Sequence, residues 1–328
     1  MTYLLLIASL AIILLSAEVF TNGIEWLGKK LNLSEGAVGS LLAAVGTALP
    51  ETMIPVIAIL FGTGDMAEEV GIGAILGAPF MLSTLALSIT GFAALVWKVK
   101  GKQRESMLID KQVMNRDLKF FLLVYTTAVL AGIFSDGFKP AVALFLIAAY
   151  LYYVYKTLGC AGDQCENLNP LYLARRQANP GLLPVLSQVI IALAGIILGA
   201  HLFVIEIERL AAVWGVPAFI LSLIIAPIAT ELPEKFNSVI WVRQGKDTLA
   251  LGNITGAMVF QSSVIPALGI LLTPWKLSPL GLICAILALT AAGSVFLLLR
   301  WRGEIRPLTL ALNSVFYLIF VGAVIVMY

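Results

Sequence analysis

The chain has 328 residues, of which 60% are hydrophobic and 12% are charged, and its formal net charge at pH 7 is +2. Soluble globular proteins have about 25% charged residues, so this composition excludes a soluble protein and indicates an integral membrane protein. The small net charge gives no sign of a nucleic-acid partner, because the charges fall in the loops between apolar runs. The single histidine excludes a histidine-based metal or catalytic cluster within one chain.

Apolar runs long enough to cross a bilayer, about 20 residues each, occur five times on each side of a polar stretch at 158–181. We therefore predict an all-α membrane fold with two units, at 1–157 and 182–328, and a cytoplasmic linker loop at 158–181. The first run has no basic region before it, so we expect a retained helix rather than a secretory signal. The ten runs cover approximately 3–22, 36–61, 70–97, 119–135, 139–157, 184–206, 216–242, 248–273, 278–299 and 307–327.

Lysine and arginine residues are unevenly divided between the predicted loops. Three of the 21 fall in even-numbered loops, namely Lys139, Arg209 and Lys276, and Lys235 lies within a helix. Cytoplasmic loops carry the excess of basic residues, so we expect both termini on the extracytoplasmic side of a cell membrane. The other seventeen fall in odd-numbered loops: Lys29, Lys30, Lys98, Lys100, Lys102, Arg104, Lys111, Arg116, Lys119, Lys156, Arg175, Arg176, Arg243, Lys246, Arg300, Arg302 and Arg306.

One short motif occurs in the second run of each half. Gly-Thr-Ala-Leu-Pro-Glu spans 46–51, and Ala-Thr-Glu-Leu-Pro-Glu spans 229–234, at an offset of 183 residues. In the third runs, Gly-Ala-Ile-Leu-Gly-Ala at 73–78 matches Gly-Asn-Ile-Thr-Gly-Ala at 252–257. Because each half has an odd number of helices, the second copy enters the membrane from the opposite side. This arrangement of inverted repeats is typical of secondary transporters.

A proline and a glutamate lie at membrane depth in each motif. Proline removes a helical hydrogen bond, so we expect the second and seventh helices to be broken at Pro50 and Pro233. An ionisable side chain at the bilayer centre costs about 2.5–3.5 kcal/mol. Two such costs at matching positions indicate a cation site that contains Glu51 and Glu234.

The expected ligands of this site are all oxygen atoms. Inversion brings Glu51 and Glu234 towards each other, and we expect the prolines to release the carbonyls of Thr47 and Thr230. Glu231 lies on nearly the same helix face as Glu234 and adds a third carboxylate, unless it pairs with a lysine or faces a solvated cavity. Hard divalent cations such as Ca2+ prefer oxygen ligands. The two Gly-x-x-x-Gly surfaces are expected to pack closely against the broken helices.

The paired motifs, each followed by a glycine-rich helix, resemble the two alpha repeats of the cation/Ca2+ antiporter superfamily, the sodium/calcium exchangers. The resemblance covers nearly the whole chain and implies ten inverted helices. It implies that Glu51 and Glu234 ligate Ca2+ and that Thr47 and Thr230 lend carbonyls. In the third helices, where the family has Gly-Asn-x-x-Gly-Ser-Asn-x-Phe-Asn/Asp, Gln261 stands at the acidic position.

Several positions depart from the family pattern. Ala48 and Glu231 replace the motif serine that helps to bind Na+, and 73–82 has none of the polar ligands of the third helix. The second copy keeps Asn253 but has Ala257 in place of serine. The implied neutral donors for Na+ are thus largely absent, while one carboxylate is gained. Gln261 and Asn253 either line the site or form interhelical hydrogen bonds.

These observations predict a secondary antiporter that exchanges a divalent cation, most simply Ca2+, for H+ or else Na+, without an enzymatic cofactor. The alternatives are another cation (Mg2+, Mn2+ or Na+/K+), a non-transporting ion sensor, and an intramembrane hydrolase with paired acids. The sequence assigns no oligomeric state, and a monomer would suffice. Lys235 either lies in the site or points away from it towards the membrane surface. His201 and Glu18 either form a proton relay or lie at the membrane interface.

Overall fold

The structure is a computed structural model that describes residues 2–30, 43–62, 64–97, 104–133, 136–158, 169–177 and 179–327. For 43–49, 136, 158 and 232–237 it describes the backbone alone. Within these ranges the chain is almost entirely helical and contains no β-strand. The predicted all-α class is confirmed.

Twelve α-helices follow one another along the described chain, with a π-helical turn at Leu82–Ala86 between the third and fourth. Their bounds are α1 (Thr2–Lys30), α2 (Ala43–Phe61), α3 (Asp65–Met81), α4 (Leu87–Val96), α5 (Lys111–Ala131), α6 (Lys139–Leu158), α7 (Leu182–Trp214), α8 (Ala218–Arg243), α9 (Asp247–Leu272), α10 (Pro279–Arg302), α11 (Pro307–Ala311) and α12 (Ser314–Met327). The π turn makes α3 and α4 one helical rod, Asp65–Val96.

Seven segments of the described chain are long and apolar enough to cross a membrane, by length and composition. Two shorter apolar segments, Pro50–Phe61 and Ala218–Glu231, belong to α2 and α8. The chain is therefore a multi-pass membrane protein, and the count of ten crossings stays a prediction. The seven segments are Thr2–Lys30, Asp65–Val96, Lys139–Thr157, Leu182–Trp214, Asp247–Leu272, Pro279–Arg302 and Pro307–Met327.

The motif prolines do not end the helices that contain them. The α2 helix continues from Ala43 to Phe61 with Pro50 and Pro55 inside it, and α8 continues from Ala218 to Arg243. The prediction that the second and seventh helices are broken is therefore wrong for the described backbone. One proline removes a single N–H donor and bends the helix, while the turns on either side keep their hydrogen bonds.

The first helix of each half packs against its counterpart. A Cβ atom added at Gly199 of α7 would lie 2.7 Å from the Ile13 side chain, and one added at Gly195 would lie 2.3 Å from Ser16 Oγ. Near the other end of the pair, the Trp214 indole donates a hydrogen bond of 3.0 Å to the Tyr3 hydroxyl. Helices α1 and α7 thus form an antiparallel pair whose backbones approach closely at small residues.

The two Gly-x-x-x-Gly surfaces differ in their packing. A Cβ atom added at Gly73 would lie 2.4 Å from the carbonyl oxygen of Phe219, so this surface of α3 is in backbone contact with α8. In the second copy, a Cβ at Gly252 meets no described atom within 4 Å, and one at Gly256 meets Tyr153 Oη at 3.7 Å. The prediction of close packing is confirmed for the first copy; for the second it stays a prediction, because the side chains of 43–49 and 232–237 lie outside the described residues. The spacing defines a smooth face but does not say whether another helix occupies it.

Contacts divide the connecting segments into two groups. At one end of the bundle, Arg104 forms a buried ion pair with Asp247, and Met107 N donates a 2.8 Å hydrogen bond to the carbonyl of Ile305. These contacts join the third, seventh and ninth connections. At the same end, Lys30 donates a 2.6 Å hydrogen bond to Asn179 Oδ1, which joins the first connection to the fifth.

At the other end, the even-numbered connections meet. Lys139 donates a hydrogen bond to the carbonyl oxygen of Pro274, and Phe219 N donates to Glu69 Oε2 at 3.4 Å. The grouping agrees with the separation of odd and even loops that the basic residues predict. These contacts group the connections but do not distinguish the cytoplasmic end of the bundle from the other end.

Candidate functional site

A small cavity lies in the interior of the bundle between α2, α3 and α8. Glu51 and Thr230 provide its polar lining, so one residue from each motif reaches the same space. Its volume is about 10 Å3, scarcely enough for one water molecule. Its remaining lining residues are Ile54, Ala74, Ala78, Ala226 and Pro227.

The polar side chains beside this cavity are removed from solvent. Glu51 is 8% exposed, Thr230 is 1% exposed and Glu231 is fully buried. The Thr230 hydroxyl donates a 2.9 Å hydrogen bond to the carbonyl of Ala226, one turn earlier in α8. With its proton directed to that carbonyl, the hydroxyl oxygen keeps lone pairs for a cation. The cavity therefore combines the buried Glu51 carboxylate with a positioned hydroxyl oxygen, while Glu231 is not among the described residues that line it.

The prolines free different carbonyls from those predicted. In a continuous helix, a proline leaves the carbonyl four residues earlier without its N–H donor. Pro50 therefore frees the carbonyl of Gly46, and Pro233 frees that of Ala229, each one residue before the motif threonine. The expectation that Thr47 and Thr230 lend carbonyls to a cation stays a prediction. For Thr230, the hydroxyl next to the cavity is the available oxygen.

Two other predicted site residues, Gln261 and Asn253, lie in α9 away from the cavity lining. Gln261 in α9 is 3% exposed, and its Oε1 has no hydrogen-bond partner among the described residues. Asn253, two turns earlier, is half-buried. Neither residue is among the described residues that line the cavity. The side chains of Thr47 and Glu234 lie outside the described residues, so their part in the site stays a prediction.

No group of three or more Asp, Glu, His or Cys side chains that could hold a metal ion occurs among the described residues. The predicted carboxylate cluster contains Glu234, whose side chain is outside that set, so the cluster stays a prediction. The side chain of Lys235 is likewise outside it. Glu18 is exposed and accepts a 2.6 Å hydrogen bond from the Tyr172 hydroxyl, and His201 is also exposed. Both side chains lie on the outside of the bundle and not beside the cavity.

Buried charged groups that the sequence did not single out lie outside this cavity. Asp117 of α5 is 1% exposed and accepts hydrogen bonds from Tyr153 Oη at 3.0 Å and Thr255 Oγ1 at 2.8 Å. Asp247 is fully buried and accepts from Leu108 N at 2.8 Å besides its ion pair with Arg104. Asp117 therefore joins α5 to α6 and α9. Asp247 joins the seventh connection to the third.

Glu206 of α7 is a further buried carboxylate that sequence reasoning missed. It is 2% exposed, although it lies in an apolar run where an acidic residue is costly. An acidic residue within an apolar run could have identified Glu206 from the sequence. It was missed because it belongs to no motif and has no acidic counterpart in the other half.

Comparison with known proteins gives a consistent result. The sequence model of the family described as sodium/calcium exchanger protein matches residues 1–159 and 185–326. Inner membrane protein YrbG of Escherichia coli (strain K12) is 27% identical over 308 residues, which cover 92% of this chain and 90% of YrbG. The crystal structure of the H+/Ca2+ exchanger CAX aligns with a TM-score of 0.74 at 17% identity, covering 99% of this chain and 82% of that one. A structure of the sodium-calcium exchanger NCX_Mj aligns with a TM-score of 0.60 at 20% identity, covering 98% and 99%.

Proposed function

Since the chain belongs to the sodium/calcium exchanger protein family, we propose that it exchanges Ca2+ for H+ across the membrane by alternating access. The family assignment makes it a membrane cation exchanger, a secondary transporter rather than an enzyme. The identity of the cation and that of the counter-ion are the proposed parts.

The observation that carries the proposal is the lining of the interior cavity. Its polar oxygens come from the Glu51 carboxylate and Thr230, whereas α3 contributes the methyl groups of Ala74 and Ala78. By the family resemblance, asparagine and serine would stand at these two alanine positions and offer neutral oxygens to Na+. Fully buried Glu231 lies next to Thr230. A charged, oxygen-only site with few neutral donors suits a divalent cation.

The same lining favours H+ as the counter-ion. A proton needs only a carboxylate, whereas Na+ needs several oxygen ligands around it. Glu51 would bind Ca2+ in one half of the cycle and H+ in the other. Because the same group holds both ions in turn, one ion must leave before the other binds, and exchange is obligatory without a separate gate.

The proposed architecture is ten membrane crossings in two inverted halves, with the odd-numbered loops in the cytoplasm and both termini outside. The distribution of basic residues supports this orientation, and the contacts that group the odd connections at one end support the alternation. We assign the movement to the α1–α7 pair, whose small-residue contacts allow its two helices to move as one unit against the helices around the cavity.

The test is uptake of 45Ca2+ into proteoliposomes under an imposed pH gradient and, separately, under a Na+ gradient. Wild-type protein is compared with Glu51→Gln and Glu231→Gln, which remove a charge and keep the side-chain shape. Glu304→Gln is the matched control, because Glu304 lies in a loop and pairs with Arg306 at 2.9 Å. We expect proton-driven uptake in wild type and control, and less than about one tenth of it in the two site variants.

The other outcomes identify the alternatives. Uptake driven by Na+ would overturn H+ coupling, and flux of Mg2+ or Mn2+ without Ca2+ flux would overturn the choice of cation. Metal binding without any flux would indicate an ion sensor. Hydrolytic activity without flux would indicate an intramembrane hydrolase.

A further inference from the structure

Glu206 is a buried charged side chain at the end of the apolar run 184–206 that the proposed exchange cycle does not use. The residue is 2% exposed, and its Oε2 atom has no hydrogen-bond partner among the described residues. A buried carboxylate oxygen without a partner is costly, and the cost is removed when a cation binds it. The feature therefore points to a ligand.

Glu206 lies on a face of α7 whose apolar residues pack against the lining of the cavity. Phe203 and Leu210, on the same face of α7, belong to one hydrophobic cluster with Ile54, Ala74 and Ala226, which line the cavity. At 1.5 Å per residue, Glu206 is about 12 Å along α7 from Trp214, while Glu51 is about 15 Å along α2 from Phe61. Glu206 thus lies about 3 Å, or roughly half a helical turn, closer than Glu51 to the end of the bundle where the even-numbered connections meet.

The second oxygen of Glu206 is paired with a residue that reaches solvent. Arg209 Nη1 lies 2.7 Å from Glu206 Oε1, and the arginine side chain is 59% exposed whereas that of Glu206 is 3% exposed. The pair therefore connects a buried carboxylate with the outer surface. The largely solvated arginine keeps its hydration when it leaves, and an incoming cation then takes its place at the buried carboxylate, which would be costly to leave without a partner.

The other half of the chain has no such carboxylate. At the repeat offset of 183, the position of Glu206 corresponds to Gly23. A Cβ atom at Gly23 would lie 2.9 Å from the Val189 side chain, so α1 is packed tightly there. Among the described residues, the position equivalent to Glu206 therefore has no carboxylate.

We propose that Glu206 is a second cation-binding position, which holds the divalent cation on its way between the extracytoplasmic side and Glu51. Arg209 occupies the carboxylate when no cation is present and is displaced by the incoming ion. This inference rests on the proposed exchange of Ca2+. Its consequence is sidedness: the position affects cation entry from the extracytoplasmic side only.

The experiment measures the Ca2+ concentration for half-maximal uptake in right-side-out and everted membrane vesicles from cells that express the full chain. Four variants are compared with wild type: Glu206→Gln, Glu206→Asp, Arg209→Gln and Glu208→Gln. Glu208 is the matched control, because it is a half-buried carboxylate two residues further along the same helix. Everted vesicles present the cytoplasmic side and serve as the second control.

In right-side-out vesicles we expect Glu206→Gln to raise the half-maximal concentration about tenfold. We expect Glu206→Asp to restore part of the loss and Arg209→Gln to lower the concentration. In everted vesicles all four variants should match wild type, as should Glu208→Gln on both sides.

Equal changes on both sides, or none, would overturn the inference while leaving the exchange of Ca2+ intact. If Glu206→Gln fails to fold, the variant Arg209→Gln, at an exposed side chain, tests the inference instead. An unchanged Ca2+ concentration for half-maximal uptake in right-side-out vesicles would then refute displacement of Arg209 by the cation. Absence of Ca2+ flux in wild type would instead refute the proposed function.

Discussion

The contact between α3 and α8 allows a quantitative prediction at Gly77. A Cβ atom there would lie 2.2 Å from the carbonyl oxygen of Leu223 and 2.9 Å from its carbonyl carbon. A carbon atom normally approaches a carbonyl oxygen to about 3.3 Å, so Gly77→Ala requires the two helices to separate by about 1 Å. The obstacle is backbone, and no change of side-chain rotamer relieves it.

We expect Gly77→Ala to destabilise the protein by about 2 kcal/mol. Overpacking a filled interior costs about 1–3 kcal/mol, and a clash with backbone lies towards the upper part of that range. The higher helix propensity of alanine returns at most about 1 kcal/mol. At roughly 2 °C per kcal/mol for a chain of this size, the melting temperature in detergent should fall by about 4 °C.

The matched control is Gly252→Ala, which makes the same change on the Gly-x-x-x-Gly surface of the other half. Its Cβ would meet no described atom within 4 Å, so we expect an unchanged or slightly higher melting temperature. Thermal unfolding of both variants is followed by intrinsic fluorescence at one scan rate, since unfolding of membrane proteins is often irreversible. Equal shifts in the two variants would refute the assignment of the helix contact. Ca2+ uptake should also fall in Gly77→Ala, because Ala78 beside it lines the cavity.

Asp247→Ala leaves the Arg104 guanidinium buried without its carboxylate, and we expect a loss of about 3–5 kcal/mol. Thermal unfolding checks this, and a shift no larger than that of an exposed pair such as Glu304 and Arg306 would contradict it. Ala78→Ser places a hydroxyl oxygen in the cavity, so we expect measurable Ca2+ uptake under a Na+ gradient in proteoliposomes. Uptake that still depends on the pH gradient alone would show that one neutral oxygen does not admit Na+.

Composition and motif spacing predicted the helical membrane fold and the approach of the two motifs. Glu51 and Thr230 are 179 residues apart in sequence, yet both line one cavity, as the repeated motif led us to expect. Their binding of a cation stays a prediction. The grouping of odd and even connections was predictable because the charge distribution records the side of the membrane on which each loop lies.

The details that were missed depend on three-dimensional contacts. The pattern identified prolines in the membrane, but the persistence of the helix around Pro50 depends on the hydrogen bonds of neighbouring turns. A Gly-x-x-x-Gly spacing describes one helix surface, and only the neighbouring helix distinguishes Gly73 from Gly252. The ion pair of Arg104 and Asp247 joins residues 143 positions apart, with no repeat or motif to connect them.

The oxygen atoms available at the cavity limit the choice of counter-ion. Ca2+ takes about 6–8 oxygen ligands, and the described lining offers the Glu51 carboxylate and Thr230. Glu231, the carbonyls freed by the prolines and bound water are the candidates for the remaining places. When Ca2+ leaves, the counter-ion has to take its place at the same carboxylate, because the proposed cycle exchanges one cation for the other. A proton achieves this at Glu51 alone, whereas Na+ would need further neutral oxygens where α3 presents Ala74 and Ala78. The same substitutions that weaken a Na+ site would leave a proton site intact, and for this reason we propose H+ as the counter-ion.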